Sequence, residues 1–521
     1  MHTAPSWSGY LAGMSQADPA SPSTSPTTAP LRPIRFVHRG EVVAVSGLES
    51  TTSVLNWLRE QARCTGTKEG CNEGDCGACT VLVGSLQEGG QVGWKPINSC
   101  IQFLPTLDGK ALLTVEDLGG NHPAQQAMVA CHGSQCGFCT PGFVMSLAAC
   151  RDRHASAPAT RQQIADALSG NLCRCTGYRP ILDAGEQMFR HSAPVLGHPG
   201  TAAALAGLRT DAPLHYAAPT PFHAPRTLAD LAALRAARPQ ARLLAGSTDI
   251  GLWVNKQFRD LGEVIYIGEV AELKAVTVAD GQLRIGAGAS LQAAWDALAA
   301  HWPATREMGL RFASPSVRAA GTMGGNVANG SPIGDSAPVL IALGASIVLR
   351  HGAQQRQMLL QDFYLAYMRN QLQPGEFVEA ITVPLPGPNE VLRVYKLSKR
   401  YDCDISGLSA GLWLQLQDGR VQDGQVQDGQ VHGARLAFGG LAGIVQRAAG
   451  AEAAIVGQPW TAGTVQAAMA ALDGDFTPMS DQRASASYRQ RAARNLLKRF
   501  WLETRAVAPL AASDLSVWSA A

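Results

Sequence analysis

One short cysteine-rich stretch constrains this chain more than any other feature. It reads Cys71-Asn-Glu-Gly-Asp-Cys76-Gly-Ala-Cys79, and a fourth cysteine follows at Cys100. Three cysteines with the spacing C-x4-C-x2-C and a later fourth are the plant-type ferredoxin pattern for a [2Fe–2S] cluster. Such a cluster takes four thiolates, and a loop can supply three of them only if it wraps tightly.

Glycines in the same stretch favour that tight wrapping. Gly70, Gly74 and Gly77 tolerate positive φ and let amide N–H groups approach the sulfurs. The alternatives are a zinc site and a disulfide framework. Zinc sites usually show two C-x2–4-C pairs, whereas here the first gap is longer and the third cysteine belongs to the same loop. We therefore predict that one [2Fe–2S] cluster is bound by Cys71, Cys76, Cys79 and Cys100.

Overall composition limits the class of protein. A chain of 521 residues is too long for one core, so several domains are expected. Hydrophobic residues make up 46% and charged residues 16%, and a net charge of +2 gives no argument for nucleic acid. No apolar run approaches the about 20 residues that span a bilayer. Twelve cysteines with no basic signal segment before Arg32 indicate metal ligation in a reducing compartment, so we expect the cytoplasm.

Residues 1–30 are rich in Pro, Ser, Thr and Ala and are predicted to be a disordered tail. After them, residues 31–117 predict a small α+β ferredoxin-like (β-grasp) domain around the cysteine loop. Its expected elements are a hairpin turning at Arg39-Gly40, a helix over 53–60, and strands over 80–83 and 111–115.

A second pair of cysteine motifs lies in residues 118–192, where the pattern becomes helical. Cys136-x-x-Cys139 and Cys173-x-Cys175 fall between predicted helices and can meet at one end of a four-helix bundle. We predict that they bind a second [2Fe–2S] cluster. Alternatively, the first pair is a thioredoxin-type redox pair and the second merely two buried thiols, although the βαβ setting of thioredoxin is missing.

Capping signals place the starts of two helices in this bundle. Thr140 is placed to cap one helix, with Pro141 suited to its first turn. Thr160 and Gln163 have the spacing of a capping box for the next helix.

Residues 193–213 read as a linker rich in small residues, Gly and Pro, and an α/β region follows over 214–390. Two glycine-rich loops in it, 243–251 and 321–330, offer amides and hydroxyls to a diphosphate. Neither fits G-x-G-x-x-G, so a Rossmann site is not supported, and either loop could simply be a tight turn.

The last region is predicted to hold alternating strands and helices over 391–508, followed by a tail over 509–521. A strand is expected at 391–395 and helices at 465–471 and 489–505. Three near-copies of Val-Gln-Asp-Gly-Gln lie between them, and their Asp-Gly pairs predict an extended exposed turn with no assigned function. The last helix is basic, which is typical of a solvated face.

These stretches together resemble the xanthine dehydrogenase family of molybdenum hydroxylases. The resemblance begins in three cysteine motifs and continues through the glycine-rich loops, so it covers nearly everything after the tail. The chain is similar to the small iron–sulfur and FAD subunit of bacterial members. The matching segments are 66–80, 132–142, 170–180, 245–251, 318–335 and 395–408.

The resemblance implies a non-Rossmann α+β FAD-binding domain and an α+β C-terminal flavoprotein domain. The positions that it assigns to FAD are Leu243, Leu244, Ala245, Gly246, Ser247, Thr248, Asp249, Ile250, Phe312, Thr322, Met323, Gly324, Gly325, Asn326, Asp335, Val378 and Lys396. Ser247 and Asp249 differ from the Asn and Glu of animal members. Glu73 matches a residue between cluster and flavin. Weaker matches for the NAD side are Asp249, Phe312, Ser331, Pro332 and Tyr367, and the cysteines that match no cluster position are Cys64, Cys131, Cys150 and Cys403.

The function implied by the resemblance is electron transfer. Electrons from the oxidation of hypoxanthine or xanthine to urate, at a partner's molybdenum centre, would pass through two [2Fe–2S] clusters and FAD to NAD+. The molybdenum cofactor is then expected on a large subunit, in a heterodimer or a dimer of heterodimers, with neither nucleic acid nor membrane as a partner. Alternatives are the equivalent subunit of an aldehyde or carbon monoxide dehydrogenase, a non-catalytic iron–sulfur carrier, and a zinc-binding interaction module.

Overall fold

The structure is a computed structural model that describes residues 31–216, 218–417, 421–422, 425–426 and 429–515. The predicted tail at 1–30, most of the Asp-Gly turns in the repeats, and 516–521 of the predicted C-terminal tail lie outside these residues. Within the described part of the chain, no helix is long and apolar enough to cross a membrane.

The first cysteine loop belongs to a mixed sheet with one short helix beside it. Its elements are β1 (Ile34–His38), β2 (Glu41–Val45), α1 (Val54–Asn56), β3 (Thr80–Leu86), β4 (Val92–Asn98) and β5 (Ala111–Leu113). The sheet order is β2-β1-β5-β3-β4, with β1 and β5 parallel and the other pairs antiparallel. The predicted hairpin and strands are present, and α1 continues as a π-helical turn over Trp57–Gln61. Trp57 packs edge-on against Phe36 and so joins helix and sheet in one core.

The second pair of cysteine motifs lies in a helical region. Its helices are α2 (Pro123–Ala130), α3 (Thr140–Arg153), α4 (Arg161–Ala167) and α5 (Arg179–Gln187). The capping box of Thr160 and Gln163 is confirmed, with both of its hydrogen bonds formed. The prediction that Thr140 caps α3 is wrong: Thr140 is already the first helical residue, because the Cys139 carbonyl accepts from the Phe143 amide. The Thr140 hydroxyl instead donates to Ser134 Oγ (2.8 Å).

The N-cap of α2 is a buried histidine, and this predicts a pH-dependent stability. His122 Nδ1 accepts from the Ala124 amide (3.2 Å). Burial, assisted by the positive charge of Arg151, lowers the pKa of His122 to about 4. The unfolded chain binds this proton near the ordinary value of about 6.5. The free energy of unfolding therefore falls as the pH drops from about 6.5 to 4.

We expect His122→Asn, which keeps a capping side chain but does not titrate, to weaken this pH dependence. The measurement is chemical denaturation of variant and wild type at neutral pH and at pH near 5. His191→Asn, at an exposed histidine, is the control. An unchanged slope of stability against pH in His122→Asn would contradict the prediction.

The segment predicted as a linker contains a helix. α6 (Thr201–Leu208) lies within 193–213, and its Leu205 and Leu208 are buried against Val37 and Ala111 of the first sheet. This segment is therefore packed on the ferredoxin-like region, because its small residues include enough leucine to form an apolar face.

The region that contains the glycine-rich loops has two sheets. The first part comprises β6 (Leu214–Tyr216), β7 (Phe222–Ala224), α7 (Leu228–Ala237), β8 (Arg242–Leu244), α8 (Ile250–Asn255) and β9 (Val264–Tyr266), with strand order β6-β7-β9-β8. The second part comprises β10 (Val276–Ala279), β11 (Gln282–Gly286), α9 (Leu291–His301), α10 (Arg306–Arg311), α11 (Pro315–Ala320), α12 (Met323–Asn329), α13 (Ser336–Ala342), β12 (Ser346–His351), β13 (Gln354–Leu359), α14 (Leu360–Phe363), β14 (Tyr364–Ala366), β15 (Arg369–Asn370) and β16 (Phe377–Pro384). Its main sheet is antiparallel in the order β10-β11-β16-β12-β13.

The last region packs three helices on a sheet. Its elements are β17 (Glu390–Leu397), β18 (Leu408–Gln417), β19 (Val421–Gln422), β20 (Gln425–Val426), β21 (Gln430–Gly439), β22 (Gln446–Arg447), α15 (Ala449–Ile455), α16 (Ala462–Asp475) and α17 (Ala486–Thr504). The main sheet has the order β17-β18-β21-β22. The predicted basic helix is α17, and it is not solvated all round, because Leu497 and Phe500 are fully buried in the core.

Candidate functional site

The first cysteine group brings together the four residues predicted from spacing. Cys79 Sγ and Cys100 Sγ are 3.3 Å apart and buried. The Cys71 thiol is hydrogen-bonded to those of Cys100 and Cys76, and these bonds lower the pKa of Cys71. The Cys71 sulfur also accepts from the amides of Asp75 (3.3 Å) and Cys76 (3.4 Å). Four neighbouring thiols, of which Cys71 accepts from two backbone amides, are a donor set that suits an iron–sulfur cluster.

The second group joins the two motifs of the helical region. Burial, together with a hydrogen bond to Cys173, raises the pKa of Cys139 to about 12, and a hydrogen bond with Cys136 raises the pKa of the exposed Cys175. Cys173 Sγ accepts from the amides of Cys175 (3.4 Å) and Thr176 (3.5 Å). The two loops therefore meet at one end of the helices, as the spacing predicts.

Both groups fit a binuclear cluster by the chemistry of their donors. Among the described residues, no three His, Cys, Asp or Glu side chains converge on the position of a single metal ion. A [2Fe–2S] cluster does not need such a point, because its four thiolates are divided between two irons.

The two cysteine loops touch each other directly. The Leu172 amide, next to Cys173, donates to the Cys76 carbonyl (3.0 Å). Asn171 Nδ2 donates to the Gly77 carbonyl (3.0 Å), while Ser146 Oγ donates to Asn171 Oδ1 (2.7 Å). The buried Asn171 amide thus fixes the spacing between the two predicted cluster sites.

The two glycine-rich loops, far apart in the chain, face one cavity of about 380 Å³. Such a volume is within the range of small-molecule sites. Ser247 has φ 62°, so the first loop turns through the left-handed region at a buried serine. Burial also raises the pKa of Asp249, which lines the same cavity. The lining residues among those predicted for FAD are Leu243, Ala245, Gly246, Ser247, Thr248, Asp249, Ile250, Thr322, Gly324, Gly325, Asn326 and Val378.

The other predicted cofactor residues do not line this cavity. Leu244 and Met323 are fully buried in the core. Asp335 and Lys396 form a buried ion pair, and Asp335 also accepts from Ser406 Oγ (2.6 Å). The remaining predicted residues outside the lining are Phe312, Glu73, Ser331, Pro332 and Tyr367. The Glu73 side chain is 43% exposed and lies 3.8 Å from Lys256, in a surface ion pair.

Sequence reasoning missed several lining residues. Trp253 is close to two guanidinium groups, with Arg242 and Arg259 at 5.3 and 5.1 Å from its ring centre. An isolated tryptophan in an apolar segment gives no pattern that could reveal this arrangement. The other missed lining residues are Arg242, Ile267, Ala287, Leu291, Ala328, Asn329, Met368, Leu372 and Phe377.

The cavity and the first cysteine group share an interface. Ser247 Oγ, in the first glycine-rich loop, donates to the Ile101 carbonyl (2.6 Å). Asn255 Nδ2, at the end of α8, donates to the Cys100 carbonyl (2.8 Å) and contacts Asn72 Oδ1 (3.1 Å). Leu252 packs against the small buried cluster that contains Cys79 and Cys100. One short helix therefore contacts both a predicted cluster ligand and the cavity.

Three known families match three successive parts of the chain. Residues 114–186 match a family described as a [2Fe-2S] binding domain, and residues 216–386 match the FAD binding domain in molybdopterin dehydrogenase. Residues 393–504 match the CO dehydrogenase flavoprotein C-terminal domain. The chain belongs to the molybdenum hydroxylase family. The predicted fold class, with iron–sulfur, FAD-binding and flavoprotein C-terminal domains, is confirmed.

Individual relatives agree with this family but differ in name. A xanthine dehydrogenase of Emericella nidulans is 30% identical over 92% of this chain and 39% of its own length. Aldehyde oxidase 4 of Cavia porcellus is 28% identical over 90% of this chain and 39% of its own length. A solved chain of Cu,Mo-CO dehydrogenase is 27% identical over 53% of this chain and 94% of that chain, with a TM-score of 0.49. This molybdenum hydroxylase chain thus spans about two-fifths of the length of the curated relatives that it matches.

Proposed function

We propose that this chain is the iron–sulfur and FAD part of a xanthine dehydrogenase. In this proposal it carries electrons from hypoxanthine or xanthine, oxidised to urate at a partner's molybdenum centre, to NAD+. The observation that carries the proposal is the continuous chain of short contacts from one cysteine group to the other and on to the cavity. The Leu172–Cys76 and Asn255–Cys100 hydrogen bonds are its two junctions. The names of the xanthine dehydrogenase relatives support the purine, and NAD+ is the acceptor that the sequence resemblance implies.

When bound, the clusters supply single-electron transfer and FAD supplies the conversion between single electrons and a hydride. The chain's own residues provide binding and spacing. The two cysteine groups present their thiols, and amide donors at Cys71 and Cys173 stabilise negative charge on sulfur. Because Asn171 and Asn255 fix the loops against each other, the distances between sites are set by one buried and one partly buried hydrogen bond. Cys136 and Cys175 are exposed and face solvent or a partner, so they are the proposed entry for electrons.

Asn255 gives a test of the second junction. We expect Asn255→Ala to keep both clusters and FAD but to slow electron passage between flavin and clusters by roughly an order of magnitude. The reason is that loss of the bond to the Cys100 carbonyl lets the cysteine loop move away from α8, and small misplacements of reacting groups are costly. The measurement is rapid mixing with NADH, followed separately at flavin and cluster absorbance.

Gln257→Ala is the matched control, since Gln257 is exposed just beyond the same helix. Equal rates in Asn255→Ala and wild type, with all cofactors bound, would show that this hydrogen bond does not position the two sites.

The whole proposal is tested by comparing two activities of the chain. With its cofactors it should accept a hydride from NADH and reduce an artificial dye, but it should not oxidise xanthine unless a molybdenum-containing large subunit is added. Molybdenum is measured in the same samples. Xanthine oxidation by the chain alone would overturn the proposal that the molybdenum centre lies on a partner subunit. Failure to reduce the dye with NADH despite full FAD would overturn the proposal that NAD+ is the acceptor.

A second candidate is the equivalent part of an aldehyde-oxidising enzyme, favoured by the comparable match to an aldehyde oxidase. The complex of the chain with the large subunit distinguishes the two functions. The first function predicts that a purine is the preferred substrate, and the second predicts that an aldehyde is.

A further inference from the structure

A second cleft, remote in sequence from the cysteine motifs, lies between the FAD-binding region and the C-terminal domain. Its volume is about 330 Å³. Gly344 and Gln361 line one side, and Glu390, Trp413, Arg435 and Arg447 line the other. Clefts between domains are frequent ligand sites, and nothing in the proposed electron-transfer function uses this one.

Arg435 is held rigidly in this cleft. Its guanidinium carbon lies 3.4 Å from the centre of the Trp413 ring, so the planar group is stacked on the indole. Its Nε donates to the carbonyl of Ala342 (2.6 Å), the last residue of α13. Stacking and this hydrogen bond fix the orientation of the remaining two nitrogens, so a ligand would bind without ordering the side chain first.

Arg435 is not engaged in an ion pair with any described residue, although Glu390 lines the same cleft and its charge attracts the guanidinium. Within the described residues, Arg435 has no acidic group at ion-pair distance, and Nη1 and Nη2 have no hydrogen-bond acceptor. Glu390 accepts from Trp413 Nε1 (3.1 Å), and Glu452 is paired with Arg447 (2.6 Å). Burial lowers the pKa of Arg435 to about 10, assisted by the charge of Arg447 and opposed by the charges of Glu390 and Glu452.

We propose that Arg435 binds a small anion, with a carboxylate or phosphate group, in this cleft. The free edge of a guanidinium presents two parallel N–H donors whose geometry matches such groups. Arg447 also lines the cleft, with its Nη1 donating to Gln361 Oε1 (3.0 Å) and its charge paired with Glu452.

A purely structural role explains only part of this arrangement. A cation at the C-terminus of α13 is favourable, and the bond from Nε to Ala342 satisfies a terminal carbonyl. That role makes no use of Nη1 and Nη2. It predicts that replacing Arg435 lowers the stability of the chain equally with and without an anion.

The test is calorimetric titration of the full chain, with its cofactors bound, with inorganic phosphate and separately with succinate. Ionic strength is held constant with sodium chloride, because charge interactions are screened by salt. Wild type should bind at least one of the two anions saturably, with one site per chain. The anion with the lower dissociation constant shows whether the site prefers a phosphate or a carboxylate.

Arg435→Gln should raise the dissociation constant at least about tenfold, the effect of losing a charge-assisted bidentate contact. Arg435→Lys keeps the charge but not the two parallel N–H donors, so it should also bind the anion more weakly than wild type. It remains informative if the Arg435→Gln variant does not fold. Arg505→Gln removes an arginine stacked on Trp501 elsewhere and should bind as wild type does. Absence of saturable binding to wild type, or equal binding to Arg435→Gln, overturns the proposal.

Discussion

Replacing Cys76 by serine is expected to abolish one of two reduced-state EPR signals and to leave the other intact. Cys76 belongs to the group completed by Cys100, and that group is separate from the one formed by Cys136, Cys139, Cys173 and Cys175. Two [2Fe–2S] clusters hold four irons, so the iron content should fall from about four to about two per chain. Iron analysis and EPR of the dithionite-reduced protein measure both changes.

Cys136→Ser should remove the other signal by the same reasoning. The matched controls are Cys131→Ser and Cys403→Ser, because both cysteines are partly buried free thiols outside the two groups. They should keep both signals and the full iron content. Loss of both signals in a folded Cys76→Ser protein would show that the cysteines are not divided into two independent sites.

Replacing Gly246 by alanine should produce a chain that keeps both clusters and loses FAD. A Cβ at this position would overlap the carbonyl oxygen of Ala320 and crowd Gly321 in the second loop. The two glycine-rich loops would then be forced apart where they face the cavity. The measurement is flavin absorbance per chain, with the cluster EPR signals as the test of folding.

The matched control is Gly474→Ala, because a Cβ there meets no atom within 4 Å. It should retain FAD, and its helical position should even gain slightly from alanine. Full FAD in the Gly246→Ala chain would show that close approach of the loops is not needed for binding. In this prediction FAD is lost because the new Cβ meets the backbone of the second loop. For a glycine in a phosphate-binding loop, the sequence alone would suggest another cause, namely that the Cβ crowds the ligand.

The sequence by itself determined the features that depend on local spacing. The cysteine intervals around Cys71 and Cys136 were sufficient to divide eight thiols into two groups, because a short loop can wrap a cluster in few ways. The hairpin at Arg39-Gly40 and the capping box at Thr160 followed equally well, since both are formed by neighbours within a few residues. The resemblance supplied the FAD loops, which spacing alone left open as tight turns.

Tertiary structure decided which distant residues meet. Thr140 was expected to cap α3, but hydrogen bonding at Cys139 starts the helix one residue earlier. Asp335 and Lys396 are paired with each other outside the lining of the cavity, while Trp253 lines it without any sequence signal. The contact between Asn255 and Cys100 joins segments 155 residues apart. Such contacts are fixed by the packing of whole sheets and helices, because burying their apolar faces brings the attached loops together, and no local pattern of residues records that outcome.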